Sequence, residues 1–281
     1  AVPGFDEAAH NLYEATGAHQ LQKALKEFDG GKIAVVISRM PYRCPAAPFE
    51  ASFLMDSMFR ERGIREQVEI TVYTPGPRPM AVAGPIVGDA LLGMLAERDI
   101  GYGGDHVVSS IDPASRTMLF DDEEVSYDLL VGVPPHIAPQ IVIDSGLIDS
   151  SGYIPVHPQT LEVLTDVENL GTDYSGVYAI GDVTTITLLN MMPLPKAGVF
   201  AEAEAGVVAE NIAADIAGKP ASVSFDGRGQ CHVEIGGGLA ALAGGNFFAS
   251  PGPRINLDTP SARYFREKGE YENVLDTWFV S

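Results

Sequence analysis

Gly30-Gly31-Lys32-Ile33-Ala34-Val35-Val36-Ile37 is the stretch on which the fold class turns. Five apolar residues in a row after a glycine break read as a strand buried on both faces, the habit of a parallel sheet, because a strand with one wet face alternates. A proline-rich loop follows. From Phe49 to Arg62 the apolar positions Ala51, Leu54, Met55, Met58 and Phe59 recur at helical spacing, with Pro48 suited to the start and Gly63 to the end. Val68–Thr74 then supplies a second strand, which completes a βαβ unit, and Val87–Glu97 another amphipathic helix. Three β-rich runs (Val107–Ile111, Thr117–Phe120, Val125–Val133) read as a meander closing this unit at Pro134-Pro135.

A second unit runs to about Gly218. It holds a strand at Val177–Ile180 and a helix from about Ala197 to Ala217, whose inward face is read as Ala203, Val207, Val208, Ile212 and Ile216, with Gly206 permitting close packing. After Lys219-Pro220, Cys231–Ile235 and Leu239–Phe248 read as a β-hairpin. Ser261–Ser281 is a charged helix carrying Tyr264, Phe265, Tyr271, Trp278 and Phe279.

Of the 281 residues, 46% are apolar and 20% charged, a globular composition rather than a disordered one. The 38 acidic against 18 basic residues leave a net charge of −20, which repels phosphate and disfavours nonspecific binding to nucleic acid or an anionic membrane surface. No uninterrupted apolar run reaches the roughly 18 residues a spanning helix needs. Ala1-Val2-Pro3-Gly4-Phe5-Asp6 does not read as a signal peptide. The expected location is cytoplasmic or peripheral at a membrane. Two cysteines make no secreted disulfide framework, and no metal centre is expected.

Gly176-Val177-Tyr178-Ala179-Ile180-Gly181-Asp182 sets a carboxylate after an apolar strand, where open α/β folds bind ligands and where it could accept from sugar-alcohol hydroxyls. The helix after Pro193-Leu194-Pro195-Lys196 aims its free amides and its positive end toward the same crevice, and Lys196 adds a full charge suited to an anionic ligand atom. A strand-turn-helix with a surface Asp and Lys is the plainer reading. The loop after the first strand lacks the glycines a pyrophosphate requires. Pro41, Pro45 and Pro48 remove amide donors there, so nicotinamide binding is disfavoured. In their place stands Cys44, at the amino end of a helix and beside Arg43, conditions that favour thiolate.

Taken together, Pro41–Glu50, Tyr127-Asp128-Leu129-Leu130-Val131 with Pro134-Pro135-His136, Val177–Asp182, Pro195-Lys196 and Gly229-Gln230-Cys231 resemble the sulfide:quinone oxidoreductase and flavocytochrome c sulfide dehydrogenase family. That family belongs to the FAD-dependent pyridine nucleotide-disulfide oxidoreductases. The resemblance implies an α/β, Rossmann-like flavoprotein with two dinucleotide folds. Residues 1–30 would lead from the FAD domain, 31–135 would form a degenerate NAD-type domain, 136–218 the second part of the FAD domain, and 219–281 a C-terminal hairpin-and-helix cap. It implies FAD as cofactor, sulfide or a related sulfur species as substrate, and a quinone or cytochrome as electron acceptor. Cys44 and Cys231 would be the redox pair, attacked as a disulfide by sulfide before two electrons pass to the flavin. Asp182 would hold the ribityl chain and Lys196 would lie near the ring, with Gly181, Pro195 and Ala197 completing the cofactor contacts. Glu50 is a candidate for proton handling, with a helix-capping carboxylate as the equal alternative. His136 reads as a structural loop histidine.

The chain departs from the family in two places. No strand with Gly-x-Gly-x-x-Gly precedes Lys32, so the flavin-binding first half is expected to be missing from this chain, which bears on flavin retention. The tail, with Glu267, Glu270, Glu272 and Asp276, is acidic, which leaves membrane docking open. Gly236-Gly237-Gly238-Leu239-Ala240-Ala241 mimics a nucleotide fingerprint, but reads as a hairpin turn. Two rival readings remain: a relative of type II NADH:quinone oxidoreductase, which the Cys44 loop opposes, and a flavin-free scaffold that binds a partner.

Overall fold

Ile33, Val35 and Ile37 point into one core while Ala34 and Val36 point into another. That is why the run between the glycines and the cysteine loop is apolar throughout: successive side chains leave a strand on opposite faces, and both faces are covered. The computed structural model describes residues 2–121 and 123–277. Trp278 and Phe279, read as part of the last helix, lie outside the described residues.

Along the chain come α1 (Phe5–Ala8), β1 (His10–Asn11), α2 (Ala15–Glu27), β2 (Gly31–Ile37), α3 (Ala47–Glu61), β3 (Val68–Tyr73), α4 (Pro85–Ala96) and β4 (Ile100–Gly103). Next are β5 (Ser110–Asp112), β6 (Thr117–Leu119), β7 (Glu124–Ser126), β8 (Leu129–Val133), α5 (Gln140–Asp144), β9 (Ile154–Pro155) and β10 (Thr184–Thr185). Last are α6 (Gly198–Ile216), β11 (Arg228–Gly236), β12 (Leu239–Asn246), β13 (Arg254–Leu257) and α7 (Ala262–Thr277).

One all-parallel sheet has the order β1-β8-β2-β3-β4. The second crossover helix, α4, starts with a proline, and α3 carries one in its first turn, where the missing amide hydrogen costs nothing. Helix α3 packs on β3 on one side and on β11 on the other, so it is the layer between the parallel sheet and the antiparallel β11-β12-β13 sheet. Phe49, Phe53 and Phe59 are essentially fully buried in that layer, and each contributes about 2–3 kcal/mol by burial. Among the described residues no helix is long and apolar enough to cross a membrane.

Four local expectations are corrected. The third run of the meander divides: Glu124–Ser126 pairs with β6, but Leu129–Val133 leaves the small sheet and enters the parallel one between β1 and β2, since all five of its side chains are buried. Leu54, one of the apolar positions read at helical spacing on α3, is 41% exposed; the buried positions are Pro48, Phe49, Ser52, Phe53, Met55, Asp56 and Phe59. Val177–Ile180 is not a sheet strand. It is held only against 161–163, by Val163 N–H to the Val177 carbonyl at 2.9 Å and Ala179 N–H to the Leu161 carbonyl at 3.1 Å, so Tyr178 forms an isolated bridge with Glu162. In α6 the buried positions are Phe200, Glu204 and Asn211, whereas Ala203 is exposed and Ile216 is 82% exposed. Of the expected face only Val207 and Val208 pack, partly buried, against the core. Gly206 is exposed and meets nothing within 4 Å, so it permits no close packing.

The close approach falls elsewhere. A Cβ on Gly229 of β11 would be driven into the ring of Phe200, itself buried edge-on against Phe225 and Phe247. Gly229→Ala is therefore expected to destabilise the fold by about 2 kcal/mol through overpacking, read as a fall in the urea midpoint. An unchanged midpoint would show that the Phe200 ring gives way freely.

Candidate active site

The 38–46 loop crosses the carboxyl end of β2, anchored at its start by Ser38, whose amide and hydroxyl both donate to the Val133 carbonyl at 3.1 and 2.7 Å. At its far end Cys44 holds a left-handed backbone, φ +52°, which a side chain bearing a Cβ adopts at a cost of about 1 kcal/mol or more. Three bonds hold it there. The Cys44 amide donates to the Lys196 carbonyl at 2.7 Å, the Ala47 amide donates to the Cys44 carbonyl at 3.0 Å, and the Tyr13 hydroxyl donates to the same carbonyl at 3.3 Å. Arg43 and Lys196 form an isolated parallel bridge, so the cysteine loop is stitched to the segment that precedes α6.

Cys231 lies on β11 opposite Ala243 of β12. The structure brings it near Cys44: both are free thiols, close enough that each shifts the ionisation of the other, while the Cys231 Sγ donates to the His232 carbonyl at 3.5 Å. The Cys231 thiol beside it holds the Cys44 thiol below its ordinary pKa, with help from the Ala47 amide and Lys268 and against burial and Glu50. The proximity of Cys44, with burial, holds Cys231 well above. The first proton lost by the pair is thus the one on Cys44, which makes it the nucleophilic sulfur of the reduced pair. Cys231 opens on an apolar pocket of about 30 Å³ lined by Pro45, Ala46, Pro195, Ala197 and Phe247.

Glu50 sits in the first turn of α3, but its carboxylate reaches away from the helix amides. It accepts the Glu234 amide at 2.7 Å and the Lys268 ammonium at 2.9 Å. It is near enough to Cys44 and Cys231 to oppose the charge on either.

The cofactor candidates gather on the other side of the loop. Gly181 and Asp182 lie on a 3-10 turn, not at the end of a sheet strand, and Gly181 has φ +71°, a conformation natural to glycine. The Lys196 ammonium is 6% exposed, donates to the Asp182 and Thr184 carbonyls at 2.8 and 2.9 Å, and stands 3.4 Å from the centre of the Tyr153 ring. Burial lowers its pKa to about 8 despite Asp182 and Glu204. Burial likewise raises the Asp182 carboxyl. Pro195 lines the Cys231 pocket, and Ala197 caps α6, accepting the Phe200 amide at 3.1 Å.

A crevice of about 380 Å³ opens beyond the ends of β1 and β8, the edge where parallel α/β sheets take ligands. Tyr13, Arg43, His136, Tyr153, Asp182 and Lys196 line it. His136 accepts the Arg43 amide at Nδ1 (2.6 Å), while its Nε2 is buried without a partner. Burial, then Arg43 and Lys196, push its pKa down to about 4, so it is a neutral ring at physiological pH.

Four residues escaped the sequence reading. Glu204 on α6 is 1% exposed and accepts the Gly181 amide at 2.6 Å; burial raises its pKa to about 7. A cavity of about 10 Å³, room for roughly one water, separates it from Lys196. The signal was a pair of polar residues, Glu204 and Asn211, at helical spacing with Phe200. Tyr153, Glu234 and Lys268 carried no local signal, since each acts through a neighbour distant in sequence.

No family model matches the chain. A curated mitochondrial sulfide:quinone oxidoreductase of mouse is 24% identical over 263 residues, 89% of this chain and 54% of that protein. A curated sulfide-quinone reductase of Aquifex aeolicus is 25% identical over 289 residues, covering 98% of this chain and 63% of that protein. The chain is similar in sequence to these curated sulfide:quinone oxidoreductases. The solved sulfide:quinone oxidoreductase of A. aeolicus superposes with a TM-score of 0.83 at 21% identity, over 97% of this chain and 64% of that one. That likeness shows the fold, the Rossmann-like α/β architecture read from the sequence. The chain spans between about half and two thirds of the length of these sulfide:quinone oxidoreductases.

Proposed function

We propose that the protein is a FAD-dependent oxidoreductase that oxidises sulfide through Cys44 and Cys231 and passes the electrons to a quinone. The observation that carries this reading is the closeness of two thiols far apart in sequence, one of them favoured as thiolate, beside a crevice at the carboxyl edge of a parallel sheet. The names of the curated relatives support sulfide as donor and quinone as acceptor.

The residues present fit a flavin. Lys196 offers a buried positive charge to an anionic ring edge and Asp182 offers an acceptor for hydroxyls, both on the lining of the one crevice. Gly181, Pro195 and Ala197 would supply close backbone approach around them. When bound, the flavin supplies a two-electron acceptor.

The chain's own part starts from the oxidised pair. Hydrosulfide attacks one sulfur of a Cys44–Cys231 disulfide; the S–S bond breaks as a new one forms, leaving one persulfide and one thiolate. Cys44 is the better leaving thiolate, because its neighbours hold its pKa down, so the persulfide is formed on Cys231. That sulfur opens on the apolar pocket beside Pro195 and Phe247, which excludes water from the bound sulfane atom. Glu50 would take the proton that the persulfide gives up.

Anaerobic addition of sulfide to the FAD-loaded full-length protein tests the reading. Loss of the oxidised-flavin absorbance, followed by its return on adding a water-soluble quinone, is expected. Bleaching by NADH but not by sulfide would sink it, as would an absorbance indifferent to both donors.

A further inference from the structure

Lys268, on the last helix, is the only cation among the described residues that bonds to carboxylates on both α3, which follows Cys44, and β11, which carries Cys231. Its ammonium donates to Glu50 Oε1 at 2.9 Å and to Glu234 Oε2 at 2.7 Å. Glu50 belongs to α3, which begins just after Cys44; Glu234 belongs to β11, the strand of Cys231. The Glu234 amide donates to the same Glu50 oxygen at 2.7 Å, so three elements meet at one carboxylate. The side chains of Glu50, Glu234 and Lys268 are 13%, 19% and 26% exposed, sheltered enough that solvent does not screen them fully.

We propose that Lys268 is a positioning residue of the cysteine pair: by clamping Glu50 and Glu234 together it offsets one of their two charges and eases the ionisation of Cys44. Without it two carboxylates would stand side by side beside a third prospective anion, an arrangement that disfavours thiolate. The two-carboxylate embrace more than offsets the effect of burial on Lys268, whose pKa stands above the ordinary lysine value, so the clamp is charged whenever the pair reacts. Other ionisable groups lie near the pair as well: Tyr13 and Tyr42 near Cys44, and Tyr271 of α7 near Cys231. None of these is a cation. The C-terminal helix is thereby part of the reactive site and not merely a cover.

The inference rests on reading Cys44 as the reacting thiol, but its test needs neither flavin nor sulfide. In the reduced full-length protein, the rate of Cys44 alkylation by iodoacetamide is followed against pH by peptide mass spectrometry. Lys268→Met is expected to move the midpoint upward and slow alkylation at neutral pH about tenfold, the lower end of what one neighbouring charge does. Lys268→Arg restores the wild-type profile. Adding Glu50→Gln to Lys268→Met recovers most of the loss, because the charge to be cancelled has gone. A Lys268→Met profile that overlays wild type overturns the proposal, and so does an Arg variant as impaired as Met, which would make the lysine a packing group. If Lys268→Met does not fold, Glu50→Gln with Glu234→Gln carries the test. It leaves Lys268 unopposed and must lower the midpoint; an unmoved midpoint overturns the proposal. A flavin that bleaches with sulfide while these profiles coincide would leave the sulfide reading standing and this one refuted.

Discussion

Serine at Cys44 or at Cys231 abolishes sulfide oxidation in the full-length protein, with a fall in turnover of about a thousandfold or more for either single change. The two residues act as one unit, since the S–S bond that sulfide must break cannot form with one sulfur missing, and effects of such units do not add. A hydroxyl in place of the Cys44 sulfur is no substitute, because it does not ionise at physiological pH and neither attacks a disulfide nor leaves from one. The two variants differ in what remains. In Cys231→Ser a hydroxyl donor stays beside Cys44, so the surviving thiol keeps a lowered pKa and alkylates readily. In Cys44→Ser the surviving Cys231 keeps the burial that holds its pKa up and alkylates sluggishly. Turnover at the wild-type rate in either variant would remove the pair from the mechanism.

The largest expected loss of stability lies away from the site, at Asp56 on the buried side of α3. This carboxylate is 2% exposed and takes three guanidinium groups: Arg60 Nε at 2.9 Å, Arg65 Nε at 2.5 Å and Arg98 Nε at 3.8 Å. Arg65 also donates to the carbonyls of Val68, Arg98 and Asp99, so the one acid anchors α3 to the start of β3 and to the end of α4. Asp56→Ala strands the Arg65 charge, whose side chain is 11% exposed, in a place that water barely reaches. Breaking a buried pair from one side costs about 3–5 kcal/mol, and that is the expected drop in unfolding free energy by urea titration. Asp56→Asn, which keeps an acceptor for Arg65, loses less. A loss below about 1 kcal/mol in the alanine variant would mean that solvent enters to serve the arginines.

The parallel sheet and its crossover helices were legible because burial on both faces writes itself into consecutive residues, as at Ile33–Ile37, and because Pro48 and Gly63 bracket a helix chemically. The hairpin around Gly236–Gly238 was legible for the same kind of reason: three glycines at positive φ make the turn between β11 and β12. The strand expected at Val177–Ile180 failed, since apolar residues alone do not say how many neighbours a strand will find. The inner face of α6 was legible only at Val207 and Val208, because valine, isoleucine and alanine occur all round that helix and hydrophobicity marks no side. Buried Glu204 and Asn211 do mark one. At the site, Cys44 stood out by its loop, but nothing local tied it to Cys231. That link came from the resemblance, and the closeness of the thiols is a property of the packed chain. Lys268 was invisible for a related reason: a lysine in an acidic helix looks like solvent-facing charge until the two carboxylates it reaches are known.

The bond from the Cys44 amide to the Lys196 carbonyl has an engineering consequence. Lys196 spends its side chain on the backbone of the Asp182 turn and its main chain on the cysteine, so sulfur and ammonium ride on a single rigid strut. Redesign of the 193–197 segment to admit a different cofactor would re-aim the thiol in the same stroke. A library that varies this segment while holding the 41–46 loop fixed should therefore yield mostly dead proteins, and the survivors should carry compensating changes in that loop.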